Sequence, residues 1–419
     1  YMVSTTMHFM PGCEILQSFD LVHWEHVTYV YETLDHTDAQ QLKSGQNIYG
    51  QGMWAASLRY HEGRFCICFV ANDTRKTYLY TSEKIDGPWK KQLIEGFYHD
   101  GSLLFDEDGR NYIVYGNDEI WITELNEDLT APKKDGLHRL LVSDHKNPEL
   151  GYEGSHIQKI NGYYYIFLIH SLRDRWMRTE ACFYSDSLEG EFTGGDVLCD
   201  DRGYCGQGVA QGGIVDTPDG KWYAMLFQDF GAVGRIPILL PVTWKDHFPF
   251  FGQNGHVPEE IEVHSTRPGY IYQPLVGSDD FCNGLLPRWQ FNHDPDPRYY
   301  HLDALQGTYT ITTREVCTEL TQAVNTLTQR MSYPSCAAEV TVDASALKEG
   351  DVAGLCALQS CYAAVGITKH HGKYEVLMLD KKEDGILDMT EGTVVESHQM
   401  DFRLEADFCN MKDEARCYY

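Results

Sequence analysis

Four segments of the chain share one plan, and that repeat limits the possible folds more than any other feature. They read WAASLRYHEG-RFCICFV, DGSLLFDEDG-RNYIVYG, EGSHIQKING-YYYIFLI and QGGIVDTPDG-KWYAMLF, beginning at Trp54, Asp100, Glu153 and Gln211. In each, a turn glycine (Gly63, Gly109, Gly162 or Gly220) follows nine positions later, and an aromatic-rich alternating run comes next. Alternation on both sides of a Gly-containing turn is the chemistry of an antiparallel hairpin. The glycines are 46, 53 and 58 residues apart. A period near fifty, several short strands per period and no helical periodicity describe propeller blades.

Weaker echoes support this period. TSEKIDGPW (81–89) and YSDSLEGEF (184–192) follow two of the hairpins, and SFDLVHW (18–24) is a looser copy. The opening YMVSTTM aligns with YIVYGND at 112–118, as the tail of one more hairpin, which gives five blades. A β-sandwich is the alternative, but sandwiches do not repeat at this interval. The expected fold is all-β: a five-bladed β-propeller over 1–265, a Pro-containing linker near 253–277, and a β-sandwich over 278–419. Alternating runs such as GTYTITT, CAAEVTVDA and YEVLMLD mark the sandwich. Both domains are expected to be truncated at the chain ends.

The innermost strand of each blade lines a propeller's central channel. Equal spacing to the turn glycine therefore predicts that Trp54, Asp100, Glu153 and Gln211 converge at one end of the hub. An aromatic ring, two carboxylates and an amide form a sugar-binding composition. Two carboxylates flanking one bond are the minimum for glycoside hydrolysis, in which crowding keeps one of them protonated. A non-catalytic reading is that each carboxylate only bonds its neighbouring turn.

Charge narrows the ligand. Thirty-four basic residues against 62 acidic ones leave a formal charge of −28, which argues against nucleic acid or an anionic membrane as partner. A neutral oligosaccharide is compatible with it. The 13 Cys lack CxxC pairs, and Cys66 and Cys68 alternate within a strand-like run as small core residues. That usage fits a reducing compartment, so a cytoplasmic location is expected.

Segments GQGMWAASLRYHEGRF, HDGSLLFDEDGRNYIVYG, GYEGSHIQKINGYYYI, QGGIVDTPDGKWYAML and GAVGRIPILLPVTWKDHFPFFG resemble glycoside hydrolase family 43 in the right order. That family comprises five-bladed propeller hydrolases of arabinose- and xylose-containing glycans. The resemblance implies an inverting mechanism with Glu153 as general acid, Asp100 as the residue that tunes and orients it, and Arg235 as a substrate contact. It further implies a concanavalin-like sandwich with Trp289 as landmark. The family's general base would fall roughly a dozen residues upstream of Tyr1 by the repeat, so the chain as given is expected to lack full activity.

Other assignments are expectations of the same kind. Trp54 stacks on a sugar or plugs the hub. Gln211 stands where relatives often carry a His. Its amide makes a structural hydrogen bond or, alternatively, helps hold calcium; no cofactor is required and no metal ligand is assigned. His8, Phe9 and Met10 would wall the pocket, while Arg173, Arg175 and Arg178 form a solvated, salt-bridged loop. The functional expectation is an exo-acting β-xylosidase or α-L-arabinofuranosidase acting on hemicellulose oligosaccharides. The alternatives are a galactan-acting hydrolase and a non-catalytic carbohydrate-binding propeller.

Overall fold

In a computed structural model that describes every residue except Ser360, the chain is almost entirely β. Five antiparallel sheets follow one another along the first 251 residues. Blade 1 has three strands, Met2–Ser4, Gly12–Gln17 and Glu25–Tyr31. Blades 2 to 5 have four each, paired in chain order, with innermost strands Met53–His61, Ser102–Phe105, Glu153–Ile160 and Ala210–Asp216. These are the hairpins the repeat predicts.

The apolar faces pack between neighbouring blades. Ile15, Val30 and Tyr31 of blade 1 meet Ile67, Phe69 and Tyr78 of blade 2, and similar clusters fill the next three gaps. Each strand alternates between two such layers, because period-2 side chains cover both faces of a sheet. Cys66 and Cys68 are buried in the layer between blades 2 and 3.

Three of the innermost strands contain a β-bulge near their N-terminal end. Pairing shifts between Met53 and Ala56, between Glu153 and His156, and between Ala210 and Gly213. A bulge inserts one unpaired residue and re-aims nearby side chains. The two residues that face a single partner residue are thus Trp54-Ala55, Gly154-Ser155 and Gln211-Gly212. Backbone conformation agrees: Asp100, Gly154 and Gln211 all have left-handed φ, at 47°, 65° and 58°.

This corrects the repeat register by one residue in blade 4. Gly154, not Glu153, is the structural equivalent of Trp54, Asp100 and Gln211, and Glu153 matches His99. The stretches between bulge and turn differ in length (Ala56–His61, His156–Ile160, Gly213–Asp216), so a constant distance to the turn glycine does not mean a constant place. The left-handed φ favours glycine at 154, where a Cβ would also crowd the Gln211 side chain, 2.5 Å from its Nε2.

By contacts the chain forms two units: Tyr1–Asp229 with Ile236–Gln329, and Phe230–Arg235 with Arg330–Tyr419. Residues 290–328 group with the first unit because Phe9–Met10 pairs with Gln290–Asn292, which pairs in turn with Leu327–Thr328. The expected linker is also tied down: Thr266 donates its N–H to Phe19 and Gln273 donates to Glu25. The second unit is a sandwich core of Val365, Ile367, Val376 and Phe402. These residues come from the sheet holding Tyr362–His370 and Lys373–Lys381 and from the sheet holding Gln399–Asp407.

Candidate active site

Glu153 begins its strand where the preceding chain is fixed by backbone pairing of Tyr152 with Asp118. Its carboxylate accepts a hydrogen bond from the Asn117 amide at 2.8 Å. Asn117 ends the second strand of blade 3, so one blade orients the carboxylate carried by the next. Asp100 belongs to that same blade 3 and lies just before Ser102–Phe105.

The His99 ring lies between the two carboxylates. Its Nε2 is 3.5 Å from Glu153 Oε2 and 3.7 Å from Asp100 Oδ2, distances of ion pairing rather than of formed hydrogen bonds. The three groups offer atoms within 4.8 Å of one another. The Asp100 side chain is only 7% exposed, whereas that of Glu153 is 20% exposed. Glu153 is the carboxylate a ligand can reach.

Trp54 stands over this group with its ring centroid 6.1 Å from that of His99, and its indole N–H donates to Gly50. Behind it, the Gly50 N–H donates to His8 Nδ1. His8 itself is 2% exposed and packs against Phe9, Tyr49 and His293. Burial, then the nearby His293, pulls its imidazole down to about 3, so it stays neutral. His8 and Met10 are therefore core residues and not pocket walls, because their strand is covered by residues 290–294. Phe9 is half-buried in that small sheet.

Below the carboxylates, a small cavity in the hub is bordered by Ser57, Asp100, Gly154, Ser155, His156 and Gln211, among others. Gln211 donates its backbone N–H to Glu180, a fully buried carboxyl that burial pushes well above the usual range. Burial thus favours the protonated form of Glu180. Of the cavity's lining residues only Asp100 carries a carboxyl, a poor match for calcium, which takes about six to eight oxygen ligands. Arg235 is exposed and heads the strand Arg235–Lys245, in the segment that groups with the second unit.

Two residues of the site escape sequence reasoning. His99 precedes Asp100 in an HDG triplet that offers a signal only once Asp100 is suspected. Arg59 lies lower in the hub and donates to Leu103 and Ile157 carbonyls and to Ser102 Oγ. An arginine inside the alternating run SLRYH was its one signal.

Pairing with Glu153, supported by the nearby Asp100 charge, raises the His99 imidazole despite its burial. A folded value above the unfolded one stabilises the fold at low pH. The advantage of the native chain over His99→Gln is therefore expected to be full below about pH 6.5 and to vanish as pH rises through the raised value. Urea denaturation of both proteins across pH 5–8.5 measures this, and a stability gap independent of pH would refute it.

Residues 1–249 match the family profile of glycosyl hydrolases family 43, and residues 278–419 match that of the beta xylosidase C-terminal concanavalin A-like domain. A putative beta-xylosidase of Xylanibacter ruminicola is 28% identical across 88% of this chain and 69% of its own length. The figures for a beta-xylosidase of Formosa agariphila are 26%, 91% and 73%. Among solved structures, a bifunctional GH43-CE protein of Bacteroides eggerthii superposes with TM-score 0.91 at 41% identity. It covers all of this chain, which spans 54% of that longer one.

Proposed function

Because the chain belongs to glycosyl hydrolases family 43, we propose that its hub site cleaves single xylose or arabinose units from hemicellulose-type oligosaccharides with inversion. The observation that carries the reading is the reachable Glu153 carboxyl held beside the buried Asp100. Relatives named beta-xylosidase and non-reducing end alpha-L-arabinofuranosidase supply the sugar classes.

In this reading Glu153 gives its proton to the leaving glycosidic oxygen. Asn117 fixes the carboxyl by its hydrogen bond, and Asp100 stands beside it with an oxygen within 4.8 Å. Trp54 offers an apolar face to the sugar. Asp100 is not the base. Inversion leaves room for a water between carboxyls about 6.5–9.5 Å apart, whereas Asp100 and Glu153 offer oxygens within 4.8 Å of each other, too close for that water. The water-activating carboxylate is assigned outside this group.

The test uses aryl β-xylosides, aryl α-L-arabinofuranosides and mixed oligosaccharides, with products followed by NMR. Release of xylose or arabinose with inverted anomeric configuration is expected. Turnover of neither sugar, or of galactosides alone, would defeat the substrate assignment, and a retained anomer would defeat inversion.

A further inference from the structure

We propose that Trp176 is a preformed stacking platform for a neutral sugar ring on the leaving-group side of the scissile bond. The proposal rests on the hydrolase reading above and adds a subsite to it.

Trp176 lies in the turn between the second and third strands of blade 4. Glu153 pairs with Ile169 and Ser171 pairs with Arg178, so this turn leaves the blade at the end that carries the acid. Arg178 is two strands out from Glu153, on the order of 10 Å by strand spacing. A sugar attached to the cleaved unit extends over that distance. Trp176 is 42% exposed, unusual for a ring of its size in a turn that is otherwise pinned.

The turn is rigid for identifiable reasons. Leu172 donates its N–H to Met177 and closes it. On one side the Arg173 guanidinium pairs with Asp144 after the last strand of blade 3. On the other, Arg178 pairs with Asp229 of blade 5 at 3.2 Å. Arg178 then lies against the indole, 5.1 Å from its centre, and backs the ring from within. A ring held in this way loses little freedom on binding, the condition under which stacking contributes most.

Charge selects the occupant. Arg173, Arg175 and Arg178 are each paired with a carboxylate, Asp144, Asp174 and Asp229 respectively. The basic cluster is thus internally neutralised and offers an anion no net attraction. A neutral ring with an apolar C–H face suits an exposed indole.

The test compares Trp176→Ala and Trp176→Tyr with the unaltered protein. An aryl monoglycoside has no second sugar, whereas a neutral tetrasaccharide does. For Trp176→Ala, kcat/KM on the tetrasaccharide is expected to fall about tenfold, mainly through KM. Turnover of the aryl substrate is expected to hold, which shows an intact fold, and Trp176→Tyr to recover most of the loss. Equal losses on both substrates, or no loss on the tetrasaccharide, would overturn the platform. If the unaltered protein cleaves neither substrate, the hydrolase reading has failed. Calorimetric binding of the tetrasaccharide, weakened by Trp176→Ala or not, then still decides the platform.

Discussion

Glu153→Gln is expected to lower kcat/KM on oligosaccharides by about 10²- to 10⁴-fold, the usual contribution of a positioned general acid. The substitution is isosteric, and the new amide oxygen can still accept from Asn117, which now bonds the carboxylate at 2.8 Å. Folding is therefore expected to be untouched. What is lost is the proton for the leaving oxygen. A dinitrophenyl glycoside departs well as an anion and should suffer least, while a sugar leaving group should suffer most. Steady-state kinetics on both substrates provides the check. An equal loss on the two would mean that Glu153 binds or positions without donating a proton.

Arg59→Leu is expected to produce the largest loss of stability in the propeller, about 2–4 kcal/mol. The guanidinium joins three blades from one point: its own strand in blade 2, Leu103 and Ser102 in blade 3, and Ile157 in blade 4. Its desolvated surroundings lower it to about 10, so it remains charged at neutral pH. Leucine leaves those acceptors without a donor, and an orphaned polar group costs more than the hydrogen bond contributed. Lysine restores the charge but cannot reach three directions from one planar fork. Thermal unfolding should show a lowered Tm for both variants, with leucine lower. A Tm unchanged by leucine would show the contacts to be incidental.

Sequence reading found the propeller because its signal is redundant. Turn glycines, alternating strands and a period near fifty recur in four segments, so one irregular copy does not hide the rest. The same redundancy caused the register error at Glu153. Alternation with period two carries no mark of an inserted residue, so the bulge at Gly154-Ser155 was invisible. Nothing in residue identity says that Ala56–His61 is longer than His156–Ile160 below the bulge. The burial of His8 is invisible to local pattern for a related reason. Its burial depends on a strand nearly three hundred residues away, Gln290–Asn292, and local pattern does not report long-range cover. The two carboxylates stand out in the sequence by their equal spacing to the turn glycines Gly109 and Gly162, while His99 and Arg59 depend on which blades come together.

The small sheet of Phe9–Met10, Gln290–Asn292 and Leu327–Thr328 bears on how the protein can be taken apart. Anyone wanting the hydrolytic module alone would be tempted to place a stop codon in the proline-rich stretch before residue 278. That cut would strip Phe9–Met10 of its pairing with Gln290–Asn292 and uncover the buried His8, an invitation to edge-to-edge aggregation. A stop after Gln329 keeps the whole clasp. Cloning boundaries here should follow strand pairing and not family boundaries.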